Sequence, residues 1–277
     1  MATLTHPLSE DFSWTSVSRS LGCLTPEQAA SYDEFGYFVM EDVFDAATMS
    51  EVLAEIDPIE REFEDLLRKD GGTAFIARAD EITFSTHLVA RSERLRHFVS
   101  SSPLTDVCAD LIGPDVRLYW DQAVYKKPGA AVSFPWHQDN GYAFVLPQQY
   151  LTCWIALTDA TEENGCPQVL PGVHHQGTLR HRLSETGLIC FDESSPEVQA
   201  AVTAPVRAGG MVVFSSLTPH CTGPNLTQDV RKAYIVQYAP EGAYVLAGQT
   251  RAELVEVPAT APERQFPVLV GGRAVVD

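Results

Sequence analysis

Basic residues are scarce in this chain: 19 Lys and Arg stand against 37 Asp and Glu, a formal net charge of -18 over 277 residues. Phosphate backbones and anionic membranes are bound through basic patches, so neither nucleic acid nor such a membrane is an expected partner. A polyanionic substrate such as a coenzyme A thioester is disfavoured for the same reason. The six cysteines (23, 108, 153, 166, 190 and 221) form no C-x-x-C pair and no regular framework. That pattern suits reduced thiols in the cytosol. No apolar run approaches the ~18 residues that span a bilayer. The opening Met1-Ala-Thr-Leu-Thr-His-Pro has neither the charged nor the apolar region of a signal peptide. The expectation is a cytoplasmic protein without a membrane span. No internal repeat is present, and nothing in the sequence indicates an oligomeric state.

What is there reads as helices followed by strands. Residues 1–24 are polar and irregular, a tail that either covers the body or stays loose. The rest, 25–277, reads as one domain. Thr25-Pro26-Glu27-Gln28 predicts a helix start, with Thr25 as cap and Gln28 as its capping-box partner. A second helix begins near Asp45, with apolar positions Val52, Ile56, Ile59, Phe63 and Leu66 forming one buried stripe. Pro58 should kink it, or Asp57 should cap a fresh start. Between Glu41 and Asp70 there are 11 acids and 3 bases, read as the solvated face of that helix. Helical support is expected over about 25–113, and a β-barrel core over about 116–240, with strands at about 116–126, 131–138, 149–157, 167–171, 205–215, 219–223 and 231–239. Gly, Pro and Asn clusters punctuate them. A C-terminal hairpin is predicted at 266–277. The fold class is mainly β with flanking helices, a jelly-roll or cupin-like barrel.

His137 and Asp139 are split by one residue in Phe134-Pro-Trp-His-Gln-Asp-Asn-Gly-Tyr142. Side chains at i and i+2 of a strand share a face, so an imidazole and a carboxylate there can grip one metal ion. With His220, they make the two-His, one-carboxylate set of non-haem Fe(II) oxygenases. A lone H-x-D arises often by chance; the order of parts is what raises its weight. Arg231 heads an inward-alternating strand, and a buried guanidinium there requires an anionic partner. A dicarboxylate cosubstrate fits, taken by two parallel hydrogen bonds. Thr222, two after His220, faces the same side. Cys221, by the same alternation, should point away from the metal as a buried structural thiol.

The sequence resembles the phytanoyl-CoA dioxygenase (PhyH) family of Fe(II)- and 2-oxoglutarate-dependent oxygenases over roughly residues 28–240. The resemblance is carried by Asp33-Glu-Phe-Gly-Tyr37, Leu111-Ile-Gly-Pro-Asp115, Trp136-His-Gln-Asp139, Trp154-Ile-Ala-Leu-Thr-Asp159, Glu163-Asn-Gly-Cys166, Leu170-Pro-Gly-Val-His174, His220-Cys-Thr-Gly-Pro-Asn225 and Arg231. The ectoine hydroxylase branch shares the Phe-Pro-Trp-His opening but matches less fully elsewhere. The resemblance implies a double-stranded β-helix with iron held by His137, Asp139 and His220. It further implies that Arg231 and Thr222 hold the far carboxylate of 2-oxoglutarate, that Trp154 packs beside it, and that Gln122 faces the site. Some relatives reach the cosubstrate with an upstream Lys, where this chain has Phe84. Relatives that halogenate carry Ala or Gly in place of Asp139, so the carboxylate here implies hydroxylation with O2, releasing succinate and CO2.

The substrate expectation is a small, mostly apolar metabolite, a lipid or secondary metabolite. Desaturation, epimerisation or cyclisation by the same iron is the alternative, and a non-catalytic ligand-binding barrel is a weaker one. Tyr142 and Phe144 follow the H-x-D motif as candidate substrate contacts, with His87 as a further candidate. His174 and His175 read as turn-fixing residues and His181 as part of a solvated face. Specificity is assigned to 72–90, 140–149 and 176–204, the last as a lid.

Overall fold

The computed structural model describes residues 5–248 and 253–275. Helix α1 (Pro26–Phe35) starts at the Thr25–Gln28 capping box and stops at Gly36, whose φ of 83° gives the left-handed turn. Helix α2 (Ala46–Lys69), capped by Asp45, runs unbroken through Pro58. Asp57 does not cap a new helix because its carboxylate is spent on Tyr125 Oη (2.6 Å) and Lys232 Nζ (2.8 and 2.9 Å). The stripe also differs from the sequence reading: Val52 and Ile56 are buried, but Leu66 is 50% exposed and Leu67 turns in. Glu60 and Glu64 are buried too, facing Lys127 at 2.7 and 2.9 Å, so this stretch of acids is not wholly solvated. Helices α3 (Glu93–Val99) and α4 (Leu104–Leu111) complete the helical layer.

Nine strands position the site: β1 (Tyr37–Met40), β2 (Ile82–Thr86), β3 (Val116–Lys126), β4 (Phe134–His137), β5 (Leu151–Ala156), β6 (Pro167–Val169), β7 (Met211–Ser215), β8 (His220–Thr222) and β9 (Arg231–Pro240). The major sheet runs β1-β7-β5-β9-β3-β2, extended by the hairpin Thr73–Ala74/Ala77–Arg78. The minor sheet places Val202–Thr203, β6, β8 and β4 side by side. Together they form a jelly-roll barrel. The span 25–113 is therefore not helical throughout. Within it Thr73–Ala74, Ala77–Arg78 and Ile82–Thr86 are strands, and β2 adds to β3 with Ile82 opposite Lys126 and Thr86 opposite Gln122. Pro267–Val270 and Arg273–Ala274 form a C-terminal hairpin against β3.

Alternation sorts each central strand between two apolar layers. On β5, Leu151, Cys153 and Ile155 join the layer under the helices, while Trp154 and Ala156 point into the barrel. On β9, Tyr234, Val236 and Tyr238 face the helices; Ala233 and Ile235 face inward. The described part of the N-terminal segment lies over the body. Trp14 Nε1 donates to Asp33 (3.1 Å), and Asp110 accepts from the backbone of Gly22, Cys23 and Leu24 at 2.7–2.9 Å.

Candidate active site

β4 ends at His137 and β8 opens at His220, and the two residues are cross-strand partners. Strand β4 stops before Asp139, which instead begins a 3-10 turn, Asp139–Gly141. The i, i+2 reading of one strand face is thus replaced by a strand end and a turn. Gln138 fixes that turn. Its fully buried amide donates to Gly177 O (3.0 Å) and Leu217 O (2.6 Å) and accepts from Leu179 N–H (2.6 Å).

Each histidine is oriented by a carbonyl two residues upstream: His137 Nδ1 meets Pro135 O at 2.8 Å, and His220 Nδ1 meets Thr218 O at 3.0 Å. That assignment puts the proton on Nδ1 and leaves both Nε2 lone pairs free to converge. They lie 4.0 and 3.8 Å from Asp139 Oδ1. One ligand atom from each of the three residues falls within 4.8 Å of the others. These separations exceed hydrogen-bond reach, so the groups face each other without satisfying each other. Burial, then the neighbouring His220, holds the His137 pKa well below the usual imidazole value, keeping it a neutral donor. Asp139 Oδ2 accepts from Thr152 Oγ1 at 2.5 Å, which turns Oδ1 toward the histidines. Thr152 was not singled out from the sequence, although alternation with Trp154 along β5 places both on the inner face.

Behind the triad lies a small cavity lined by Gln122, Trp154, Thr222 and Arg231 together with His137, Asp139 and His220. The structure thus brings the motif residues to one place. Arg231 is 1% exposed, yet Nε, Nη1 and Nη2 have no hydrogen-bond partner among the described residues. Its guanidinium carbon sits 5.2 Å from the Trp154 ring centroid. Burial lowers its pKa to about 10, leaving it charged. An unpaired buried cation is costly, and a carboxylate satisfies the fork bidentately. The residues present therefore fit a carboxylate cosubstrate. Phe84 lines the same cavity and packs at 5.4 Å against Phe134. Lys126, opposite Arg231 on β3, is fully buried and spends its amine on the Thr222 and Gly223 carbonyls.

A larger cavity of about 460 Å³ opens on the other side of His137 and Asp139, within the range of small-molecule sites. Tyr142 lines it, edge-on to His137 at 5.4 Å. Phe144 does not: it turns to His6, 4.8 Å away, in a separate pocket. His87 is outside the lining as well. It stands behind Trp120 at 4.3 Å, in a left-handed conformation of φ 58° that hands β2 to the next turn. Of the segments assigned to specificity, 72–90 supplies Phe75, Ile76 and Thr86, and 140–149 supplies Tyr142 and Ala143. Segment 176–204, expected as a lid, includes a hairpin, Arg182–Ser184 with Gly187–Ile189, and contributes no described residue to the lining of this cavity. It meets the 73–78 hairpin where Arg78 donates to Glu185 O at 3.1 Å.

His181 is not part of a solvated face. It is partly buried beside Gly141, accepts from Gln138 N–H at 2.9 Å, and has its pKa pushed down to about 4 by burial. His174 is buried at a turn, 3.2 Å from Asp33 O. Cys221 packs with Trp136 and Leu170, away from the metal-facing side. All six cysteines are unpaired.

Residues 32–233 match the phytanoyl-CoA dioxygenase (PhyH) family. A probable alpha-ketoglutarate-dependent hypophosphite dioxygenase of Stutzerimonas stutzeri is 28% identical over 239 residues, 80% of this chain and 81% of that protein. A methylphosphonate hydroxylase of Gimesia maris is 31% identical over 153 residues, 55% of this chain and 56% of that protein. Among solved structures, the epimerase SnoN in complex with Fe3+, alpha ketoglutarate and nogalamycin RO superposes with a TM-score of 0.68 at 22% identity, covering 87% of this chain and 97% of that one. The chain belongs to the phytanoyl-CoA dioxygenase family of Fe(II)- and 2-oxoglutarate-dependent dioxygenases.

Proposed function

We propose that the enzyme hydroxylates a C–H bond of a small, mostly apolar metabolite, with His137, Asp139 and His220 as iron ligands. Arg231 and Thr222 hold the far carboxylate of 2-oxoglutarate, Trp154 packs against the cosubstrate, and Gln122 borders both cosubstrate and substrate. The observation that carries this reading is the buried, unpartnered guanidinium of Arg231 in the same cavity as the triad. Iron and 2-oxoglutarate, when bound, supply the oxidation of a C–H bond by O2, with succinate and CO2 released. The chain's own part is to fix the ligands from one side, through Pro135 O, Thr218 O and Thr152, and to keep the reacting C–H dry within an aromatic cavity. Asp139 supports hydroxylation over halogenation, since it fills the position that halide would need.

Desaturation, epimerisation or cyclisation remain the alternative outcomes at this site, and product mass separates them. Residues 25–277 act, on this reading, as one catalytic domain. Among the described residues no helix is long and apolar enough to cross a membrane, and the six unpaired cysteines support a cytoplasmic setting. The acidic balance supports a small-molecule partner over nucleic acid.

The test is calorimetric binding of 2-oxoglutarate to metal-loaded Arg231→Leu. Loss of at least roughly tenfold in cosubstrate affinity, with metal affinity unchanged, is the expected result. Equal loss of both would mean that Arg231 supports the fold instead.

A further inference from the structure

From the outer cavity we infer the substrate class: an uncharged, ring-bearing molecule with at least two neutral hydrogen-bonding oxygens. The inference rests on the iron and cosubstrate assignment above and extends it to the space beside it. Charge is the first observation. Among the described residues no Lys or Arg lines this cavity, and the one ionisable carboxylate in its wall is Asp139. The buried guanidinium of Arg231 lines only the deeper cavity, where the cosubstrate carboxylate claims it. Apart from the iron, a small oxyanion would find no cation among the described residues of this wall. Hypophosphite and methylphosphonate, named for two relatives, would therefore have no guanidinium or ammonium group to pair with among the described residues of this wall.

The second observation is a bulge. Along the β3–β9 ladder Gln237 pairs with Trp120 and Tyr238 with Leu118, so Tyr119 is the extra residue. Such a bulge re-aims a side chain, and here it lets both Tyr119 and Trp120 line the cavity in place of strict alternation. Its displaced carbonyl is satisfied by Gln265 Nε2 at 3.3 Å. Tyr119 meets Tyr150 edge-on at 5.2 Å. Phe134 and Tyr142 add rings from the minor-sheet side. Flat, polarisable walls of this kind favour a ring system over a flexible chain, which would lose its conformational freedom for little specific contact.

The third observation concerns polar groups left open. Gln122 and Gln237 line the cavity, and neither side-chain amide bonds to any described residue; Gln237 is 6% exposed. The Tyr119 and Tyr150 hydroxyls likewise have no partner among the described residues. An acyl chain would leave all four unsatisfied. Carbonyls or hydroxyls on a ring scaffold satisfy them, since an amide both donates and accepts.

The experiment uses anaerobic protein loaded with Fe(II) and 2-oxoglutarate. Three probes are titrated: 1,4-dihydroxyanthraquinone, methylphosphonate and decanoate. Binding is read by calorimetry and by perturbation of the visible chelate band. The quinone alone should bind saturably, and Gln237→Leu should weaken it by roughly tenfold without changing the band formed before the probe is added. Trp120→Ala should weaken it comparably; Gln237→Leu, similar in volume, guards against a folding defect. Saturable binding of methylphosphonate or decanoate overturns the inference. So does quinone binding that is absent up to about 1 mM or unaltered in both variants. A chelate band missing before any probe is added overturns the iron and cosubstrate assignment itself, and this inference with it.

Discussion

His220 lies directly across the β4–β8 ladder from His137, with ring centroids 4.1 Å apart. Antiparallel pairing therefore does the work of bringing together two imidazoles that are 83 residues apart in the chain. The carbonyls of Pro135 and Thr218 aim both rings the same way, and Asp139 arrives from the turn that follows. The two imidazoles are thus held to a narrow geometry by paired strands, and the carboxylate is placed by the turn beside them.

Asp139→Ala removes the carboxylate and opens its position. We expect hydroxylation to be abolished, measured as product formation per succinate released. Unchanged turnover in this variant would contradict the ligand assignment.

Thr152→Val keeps the shape of the strand but deletes the hydroxyl that holds Asp139 Oδ2 at 2.5 Å. Removing such an outer partner lowers metal affinity or activity by about 10–100-fold. Competition with a chelator measures the first and turnover the second, with the melting temperature as a control. A variant equal to wild type in both would show that Asp139 is oriented without Thr152.

Lys127→Met strands Glu60 and Glu64, both buried and facing the lysine amine. Glu60 also accepts from Thr83 Oγ1 at 2.7 Å, tying α2 to β2 and so to the cavity wall at Phe84. Breaking a buried charge pair on one side costs on the order of 3 kcal/mol. Denaturant unfolding at pH 7 should show that loss, and adding Glu60→Gln and Glu64→Gln should recover much of it. No recovery would place the cost in packing rather than charge.

Asp121 gives a pH prediction. Burial raises its carboxyl to about 6, against partial relief from Tyr234 Oη and the backbone N–H of Val89, while Oδ1 has no hydrogen-bond partner. The folded value lies above the unfolded one, so the folded state holds its proton longer. This contribution favours folding below about pH 4 and is lost as pH rises through about 6. Asp121→Asn should remove the dependence and stabilise the protein at pH 7 by up to ~3 kcal/mol. Unfolding curves at pH 4.5 and 7 check it; a variant–wild-type difference equal at both pH values would contradict it.

The motif residues were legible in the sequence because strand alternation and chain order constrain them: Trp154, Thr222 and Arg231 line the cavity that His137, Asp139 and His220 share. The capping box at Thr25 was legible because it is local. What escaped depends on distant partners. Residues 82–86 do alternate apolar and polar side chains, but five residues within a stretch read as helical support are a short signal, and pairing with β3 is what fixes them as β2. Glu60 and Glu64 are buried because Lys127, more than 60 residues on, reaches them. The inward turn of both Tyr119 and Trp120 comes from a bulge that no periodicity reports. Phe144 was drawn aside by His6, from the far end of the chain.

The central claim is that the triad and Arg231 together hold iron and 2-oxoglutarate. Anaerobic titration of the Fe(II)-loaded protein with 2-oxoglutarate tests it most directly, through the weak visible charge-transfer band of the chelate. The band should appear in the wild type, vanish in His137→Ala, and require much more 2-oxoglutarate in Arg231→Leu. Iron that binds without any band forming would contradict the account and turn attention to a barrel that binds ligand without turnover.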